Sequence, residues 1–149
     1  MRVFEVMTNG ARTVAPTMAA ADALGLMRSH RVHHLVVTSD SRVVGVLSDR
    51  DVDPRAAAPG SPFRVGDLMT TDVVTVDREE TVRRAANLLR GRTIGCLPVT
   101  DSDHLVGIVT TSDLLQLLGK GIDRPARSVR HTMNHKVPHR KVRGARRAW

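Results

Sequence analysis

The sequence predicts an α/β fold of the mixed α+β kind: two units in succession, each strand, helix, strand, strand, helix (βαββα), then a basic tail. Three observations predict it. Sliding the chain against itself by 62 positions over residues 3–52 aligns fourteen identities, among them Met7/Met69, Thr8/Thr70, Val14/Val76, Leu35/Leu97, Val37/Val99, Gly45/Gly107 and Asp51/Asp113. A repeat of this period is one supersecondary unit used twice. Within each copy the apolar residues change from helical spacing to short β-branched runs, the mark of mixed elements. The charge is divided as well. Residues 1–119 carry 13 Arg and no Lys against 14 acids, whereas residues 120–149 carry 10 basic residues against Asp123 alone. The expected organisation is repeat 1 at 1–58, repeat 2 at 59–119 and a tail at 120–149.

In the first copy, Val3, Val6 and Met7 share a helical edge. Thr13-Val14 is a brief strand that Pro16 stops. Thr17 is the expected N-cap of a helix from Met18 to about Ser29, with Ala20, Ala23, Leu24 and Met27 on one face. His34 to Thr38 is a strand rich in β-branched residues. Ser39-Asp40-Ser41 is a turn, and Val43 to Leu47 pairs back. Ser48 to Val52 opens another helix, and Arg55 to Pro62 (RAAAPGSP) reads as a linker. The second copy repeats the order. Val73 to Val76 is the short strand, and Asp77 to Glu80 place acids where a helix dipole favours them. A helix follows to about Arg90 with Val82, Ala85, Ala86 and Leu89 on its apolar face. Cys96–Thr100 and Leu105–Val109 form the hairpin, and Thr110–Leu118 is a helix closed by Gly119. The tail, rich in charge and poor in large apolar residues, is expected to be disordered when free.

Composition excludes several classes. A chain of 149 residues with 41% hydrophobic content suits one globular domain, but only two Phe and one Trp are aromatic, so the core is aliphatic. The single Cys96 excludes an intrachain disulfide and agrees with a reducing compartment, giving a cytoplasmic expectation. No run has the length of a membrane helix and no export signal is read. No nucleophile elbow, Walker loop or paired metal-ligand helix motif is present, so no enzymatic activity is expected.

Each copy ends its second hairpin strand on a hydroxyl and then, three residues on, an aspartate: Ser48/Asp51 and Thr110/Asp113. Such a spacing is an ordinary capping box, in which the two side chains satisfy backbone N–H groups at a helix start. The two copies, each with an early V-M-T or L-M-T, a Gly-interrupted strand and the ending S/T-x-x-D, resemble the tandem cystathionine-β-synthase (CBS) domain pair, often called a Bateman module. SDRD at 48–51 and LPV at 97–99 are typical of it, and the resemblance runs over residues 3 to about 118. It implies a regulatory ligand-binding module rather than a catalyst. Two repeats would pack about a pseudo-twofold axis and leave two clefts for an adenosine-containing ligand such as AMP, ADP, ATP or S-adenosylmethionine. No cofactor is required. In that reading Asp51 and Asp113 accept ribose hydroxyls, and Ser48 and Thr110 stand by the phosphate. Val14, Leu35 and Val36 in one copy, with Val76, Leu97 and Pro98 in the other, would line an apolar slot for adenine.

Two further readings come from single features. His33, His34 and Cys96 lie at equivalent strand starts and form a candidate metal site, against the plainer reading of two loop or edge histidines and one buried thiol. His33, Arg31 and Arg92 are alternative phosphate partners. The basic residues of the tail suit nucleic-acid phosphates or a partner protein, with Trp149 the only base-stacking residue there. The partners expected are therefore an adenine nucleotide, a second copy in a homodimer, an unidentified protein target and, through residues 120–149, nucleic acid. The alternative to a sensor is a dimerising scaffold for that tail, or a metal-binding protein.

Overall fold

The computed structural model describes residues 1–120; the tail expectations fall outside the described residues. The chain begins with a 3-10 turn at Val3–Glu5 and runs through β1 (Thr8–Asn9), β2 (Thr13–Val14), α1 (Ala20–His30), β3 (His34–Ser39) and β4 (Arg42–Ser48). After a 3-10 turn at Asp49–Asp51 come α2 (Pro54–Ala57), α3 (Val65–Leu68) and β5 (Val76–Asp77). Then follow α4 (Val82–Arg92), β6 (Cys96–Asp101), β7 (His104–Thr110) and α5 (Thr111–Gly119). The 62-residue offset carries α1 onto α4 and both hairpin strands onto their counterparts residue for residue, so the two units are structural copies. One sheet has the order β2-β3-β4 and the other β1-β7-β6-β5, with β2·β3 and β5·β6 parallel and both hairpins antiparallel. The hairpin tips Asp40-Ser41 and Ser102-Asp103 all have positive φ, between 48° and 65°. That is the two-residue turn whose twist matches paired strands, and short polar residues tolerate it.

The two sequence repeats are not the two packing units. Val3 is wholly buried in the core of the second sheet with Val76, Ala85, Leu89, Leu97, Val99 and Val109. Val65 is buried in the core of the first, with residues such as Leu24, Met27, Leu35 and Leu47. The backbone bonds are symmetric: Val3 N–H donates to Glu80 O (2.9 Å) and Phe4 N–H to Arg78 O (3.0 Å), while Val65 N–H donates to Met18 O (2.9 Å) and Gly66 N–H to Pro16 O (2.8 Å). The exchange continues into the sheets. Thr8 pairs with Ile108 on β7, and Thr70 bridges Val46 on β4. Each repeat thus sends its leading segment to finish its neighbour, and the M-T pairs are the residues that cross.

Several helix starts differ from the expectation. α1 begins at Ala20 behind Ala19, whose side chain cannot cap, and Thr17 lies outside it. The helix expected from Ser48 is only a 3-10 turn. Pro54 has a fixed φ and no N–H, so it starts a helix rather than continuing one, and Asp53 caps that start by accepting Arg55 and Ala56 N–H at 2.9 Å. The expected linker therefore begins as α2. α4 is capped by Thr81, which accepts Arg84 N–H at 3.1 Å, rather than starting among Asp77–Glu80. The short second-copy strand is Val76–Asp77.

Candidate functional site

Both S/T-x-x-D sequences stand where a strand ends, and all four side chains are half-buried. Ser48 N–H donates to Asp51 Oδ2 and Thr110 N–H to Asp113 Oδ2, each at 2.8 Å. The capping arrangement is thus formed in both copies, but not equally. The Thr110 hydroxyl accepts Asp113 N–H at 3.1 Å ahead of a nine-residue helix. The Ser48 hydroxyl faces the Asp51 N–H in the same capping box but falls short of a hydrogen bond, because a 3-10 turn follows it. Among the described residues the Ser48 hydroxyl makes no hydrogen bond, and each aspartate keeps one carboxylate oxygen without a protein partner.

The first motif faces the junction between the repeats. The His34 ring reaches across to Gly95, where a methyl group would stand 2.8 Å from Nε2. Burial holds the His34 pKa below its usual value, with the Asp49 and Asp51 carboxylates opposing that shift. Burial pushes the Cys96 thiol up to about 12, helped by Asp51. Asp51 therefore lies near the strand starts of both copies. Main-chain bonds tie each motif to these starts: Asp49 N–H to His33 O and Thr111 N–H to Gly95 O, both 3.0 Å. On the second motif's side a small cavity of about 190 Å³ is lined by Glu5, Val6, Asp113, Gln116, Leu117 and Lys120.

The expected apolar slot is divided by strand parity. Side chains alternate along a strand, so Leu35 and Val37 face α1, and Leu97 and Val99 face α4; Val36 and Pro98 point the other way. Leu35, Leu97, Val14 and Val76 belong to the repeat cores. Their side chains pack there and do not line an open slot; Val36 and Pro98 lie on the opposite faces, also fully buried. The three candidate metal ligands are not gathered. His33 Nδ1 is 2.7 Å from Asp49 Oδ2 on the surface. Among the described residues no three His, Cys, Asp or Glu side chains are arranged to hold a metal ion.

The family model of the CBS domain matches residues 3–53 and 65–120. The chain belongs to the CBS domain family. The CBS domain-containing protein YhcV of Bacillus subtilis is 32% identical over 114 residues, covering 75% of this chain and 81% of that protein. A homoserine O-acetyltransferase of Methanocorpusculum labreanum is 33% identical over 116 residues, 76% of this chain but only 23% of the enzyme. Only the CBS part of that enzyme is shared. Among solved structures, the CBS domain pair of protein MJ0100 in complex with 5′-methylthioadenosine and S-adenosyl-L-methionine superposes with a TM-score of 0.73 at 24% identity, covering 80% of this chain and 97% of that one. The fold is therefore that of a CBS pair. No helix of the described residues is long and apolar enough to cross a membrane.

The sequence did not point to Asp49, the partner of His33, or to the approach of His34 to Gly95. A signal for the second existed, since a glycine at the position equivalent to His33 leaves room for a ring from the other copy.

Proposed function

We propose that the chain is a non-catalytic regulatory module that binds an adenine nucleotide or adenosyl compound at the junction of its two CBS repeats. The observation that carries this reading is the state of the first motif. Asp51 offers a spare carboxylate oxygen and Ser48 a spare hydroxyl, at a half-buried corner beside the strand starts of both repeats. A ribose diol and a phosphate need those two groups, an acceptor and a hydroxyl. The second motif is the weaker candidate, because its hydroxyl is already bonded and Glu5 stands in its cavity. The MJ0100 pair binds adenosyl compounds, which favours the same ligand class here. Leu115 and Leu118 on α5 are 63% and 58% exposed, an unpartnered apolar edge suited to a second copy of the chain. A ligand would act on a partner only through a difference in affinity between two arrangements of the repeats.

The test is a thermal-shift titration of AMP, ADP, ATP and S-adenosylmethionine on the full chain, on Asp51→Ala and on Asp113→Ala. A ligand at 100 times its Kd stabilises the native state by about 2.7 kcal/mol. The expected result is a rise with one of these ligands that Asp51→Ala abolishes and Asp113→Ala keeps. No rise with any of them refutes the reading.

A further inference from the structure

A second cavity, of about 610 Å³, opens between the C-terminal end of α1 and the 3-10 turn after β4. Its lining includes Asp49 and Arg50 but neither Ser48 nor Asp51. The turn thus has two sides, one toward the repeat junction and one toward this cavity. The floor is apolar: Leu24, Met27 and Val52 are buried in the first core and Val32 packs against it. The rim is cationic. Arg28, Arg31 and Arg50 are exposed around the opening, and none makes an ion pair among the described residues. The lining also holds one carboxylate, Asp49, whose Oδ2 lies 2.7 Å from His33 Nδ1; that bond lowers its pKa and keeps it ionised, so the rim sets three guanidinium groups against one carboxylate.

Comparison of the repeats separates what the fold requires from what it does not. The floor positions Met27, Val32 and Val52 correspond to Leu89, Ile94 and Leu114, apolar in both copies as core packing demands. The rim is not kept: Arg31, His33, Asp49 and Arg50 correspond to Thr93, Gly95, Thr111 and Ser112. Arg28 has a counterpart in Arg90, and both stand in the last turn of a helix, where the dipole favours a cation. The same account covers Arg31, the C-cap of α1, although Thr93 holds the equivalent place in the second copy; it does not extend to Arg50, on another element. An apolar-floored volume of this size with a few convergent polar groups has the form of a small-molecule site. Three guanidinium groups around it select a multiply charged planar or tetrahedral anion, which they bind in bidentate fashion.

We infer that this cavity is a ligand site separate from the repeat junction and specific to the first repeat, taking a small phosphomonoester with an apolar body. The phosphate meets the arginines at the rim and the body lies against Val32 and the exposed edges of Leu24 and Val52.

The experiment is a titration of the full chain with phenyl phosphate, and in parallel with inorganic phosphate, followed by amide NMR at constant ionic strength. Phenyl phosphate is expected to move the resonances of residues 24–33 and 49–52. Covering the apolar floor should make it bind about 10-fold more tightly than inorganic phosphate. Arg28→Gln/Arg31→Gln should weaken it about 10-fold or more through the lost charge-assisted bonds, and Arg50→Gln less. The dispersion of the same spectra reports whether each variant is folded. Asp51→Ala should leave the affinity within about twofold, because it belongs to the other side of the turn. Equal affinity for the two phosphates, unchanged binding in both arginine variants, or shifts confined to residues 120–149 would each overturn the site. Loss of binding in Asp51→Ala would show that the anion occupies the repeat junction, and would overturn the separate site while leaving the nucleotide reading in place.

Discussion

Gly45 and Gly107 are the places where one repeat's leading segment crosses the other's strand, and replacing them by alanine tests that crossing. A methyl group at Gly107 would stand 2.5 Å from the Thr8 carbonyl oxygen and 3.0 Å from Met7 Sδ. Ordinary contact begins near 3.4 Å, so the overlap with main chain is close to 1 Å. The Thr8 carbonyl cannot retreat that far without parting β1 from β7, whose register pairs Thr8 with Ile108 and Asn9 with Gly107. The cost of Gly107→Ala should fall in the upper part of the range for overpacking, about 2–3 kcal/mol. At Gly45 the nearest atom is Met69 Sδ, a flexible thioether, with Thr70 O farther off at 3.1 Å. Gly45→Ala should therefore cost less, about 1–2 kcal/mol. The decisive comparison is a pair of double-mutant cycles read by urea unfolding. Met69→Ala removes most of the Gly45→Ala clash, so these two substitutions should couple by about 1 kcal/mol or more. Met7→Ala cannot relieve a clash with a carbonyl, so the Gly107→Ala loss should persist in that background. A Gly107→Ala protein as stable as the parent, or one fully rescued by Met7→Ala, refutes the crossing geometry.

The two capping boxes give a second contrast. Thr110→Ala loses a formed bond to Asp113 N–H and should cost about 1 kcal/mol, whereas Ser48→Ala should stay within about 0.5 kcal/mol, both by urea unfolding. Equal losses would mean that Ser48 caps its turn as fully as Thr110 does. The third prediction concerns pH. Burial depresses the folded pKa of His34 below the ordinary histidine value of 6.5, so the unfolded chain binds the proton first as pH falls. The stability from the neutral ring is complete above 6.5 and is lost as pH drops from there through the folded pKa. His34→Gln should flatten that slope in unfolding midpoints taken between pH 7 and 5. The paired Asp49 has its own pKa lowered and acts in the more acidic carboxylate range, so the two effects separate.

The offset of 62 residues made most of the fold legible, because the hairpins, their polar tips and the α1/α4 pair all repeat in register. What it left open was ownership. Val3 and Val65 announce an apolar edge by their spacing, yet nothing local says whose core that edge completes; the answer depends on contacts distant in the chain, Val3 with Glu80 and Val65 with Met18. Helix starts were misplaced where a local rule had two applications. Thr17 is a good cap by residue type but lies too early, and Pro54 acts as a helix start rather than as a mark of the linker. At the candidate site the aspartates were found by motif, but the slot residues were chosen by hydrophobicity without strand parity, which groups Leu35 with Val37 and sets Val36 apart.

The same repeat that concealed the crossing shows where function departs from architecture. Positions apolar in both copies, such as Met27 and Leu89 or Leu35 and Leu97, serve the two equivalent cores and carry no information about a ligand. Gly45 and Gly107 are alike because both must admit a methionine and a main chain from the other repeat. The informative positions are those where equivalent places hold different chemistry: His34 against Cys96, Arg31 against Thr93, Arg50 against Ser112, and an unbonded Ser48 hydroxyl against a bonded Thr110. All four fall around the strand starts and the turn after β4, and in each pair the first copy carries the titratable, charged or unbonded group. The fold can be satisfied by either member of each pair, as the other copy demonstrates. The asymmetry is therefore not required by the fold, and it is the reason the proposed ligand chemistry is assigned to the first repeat.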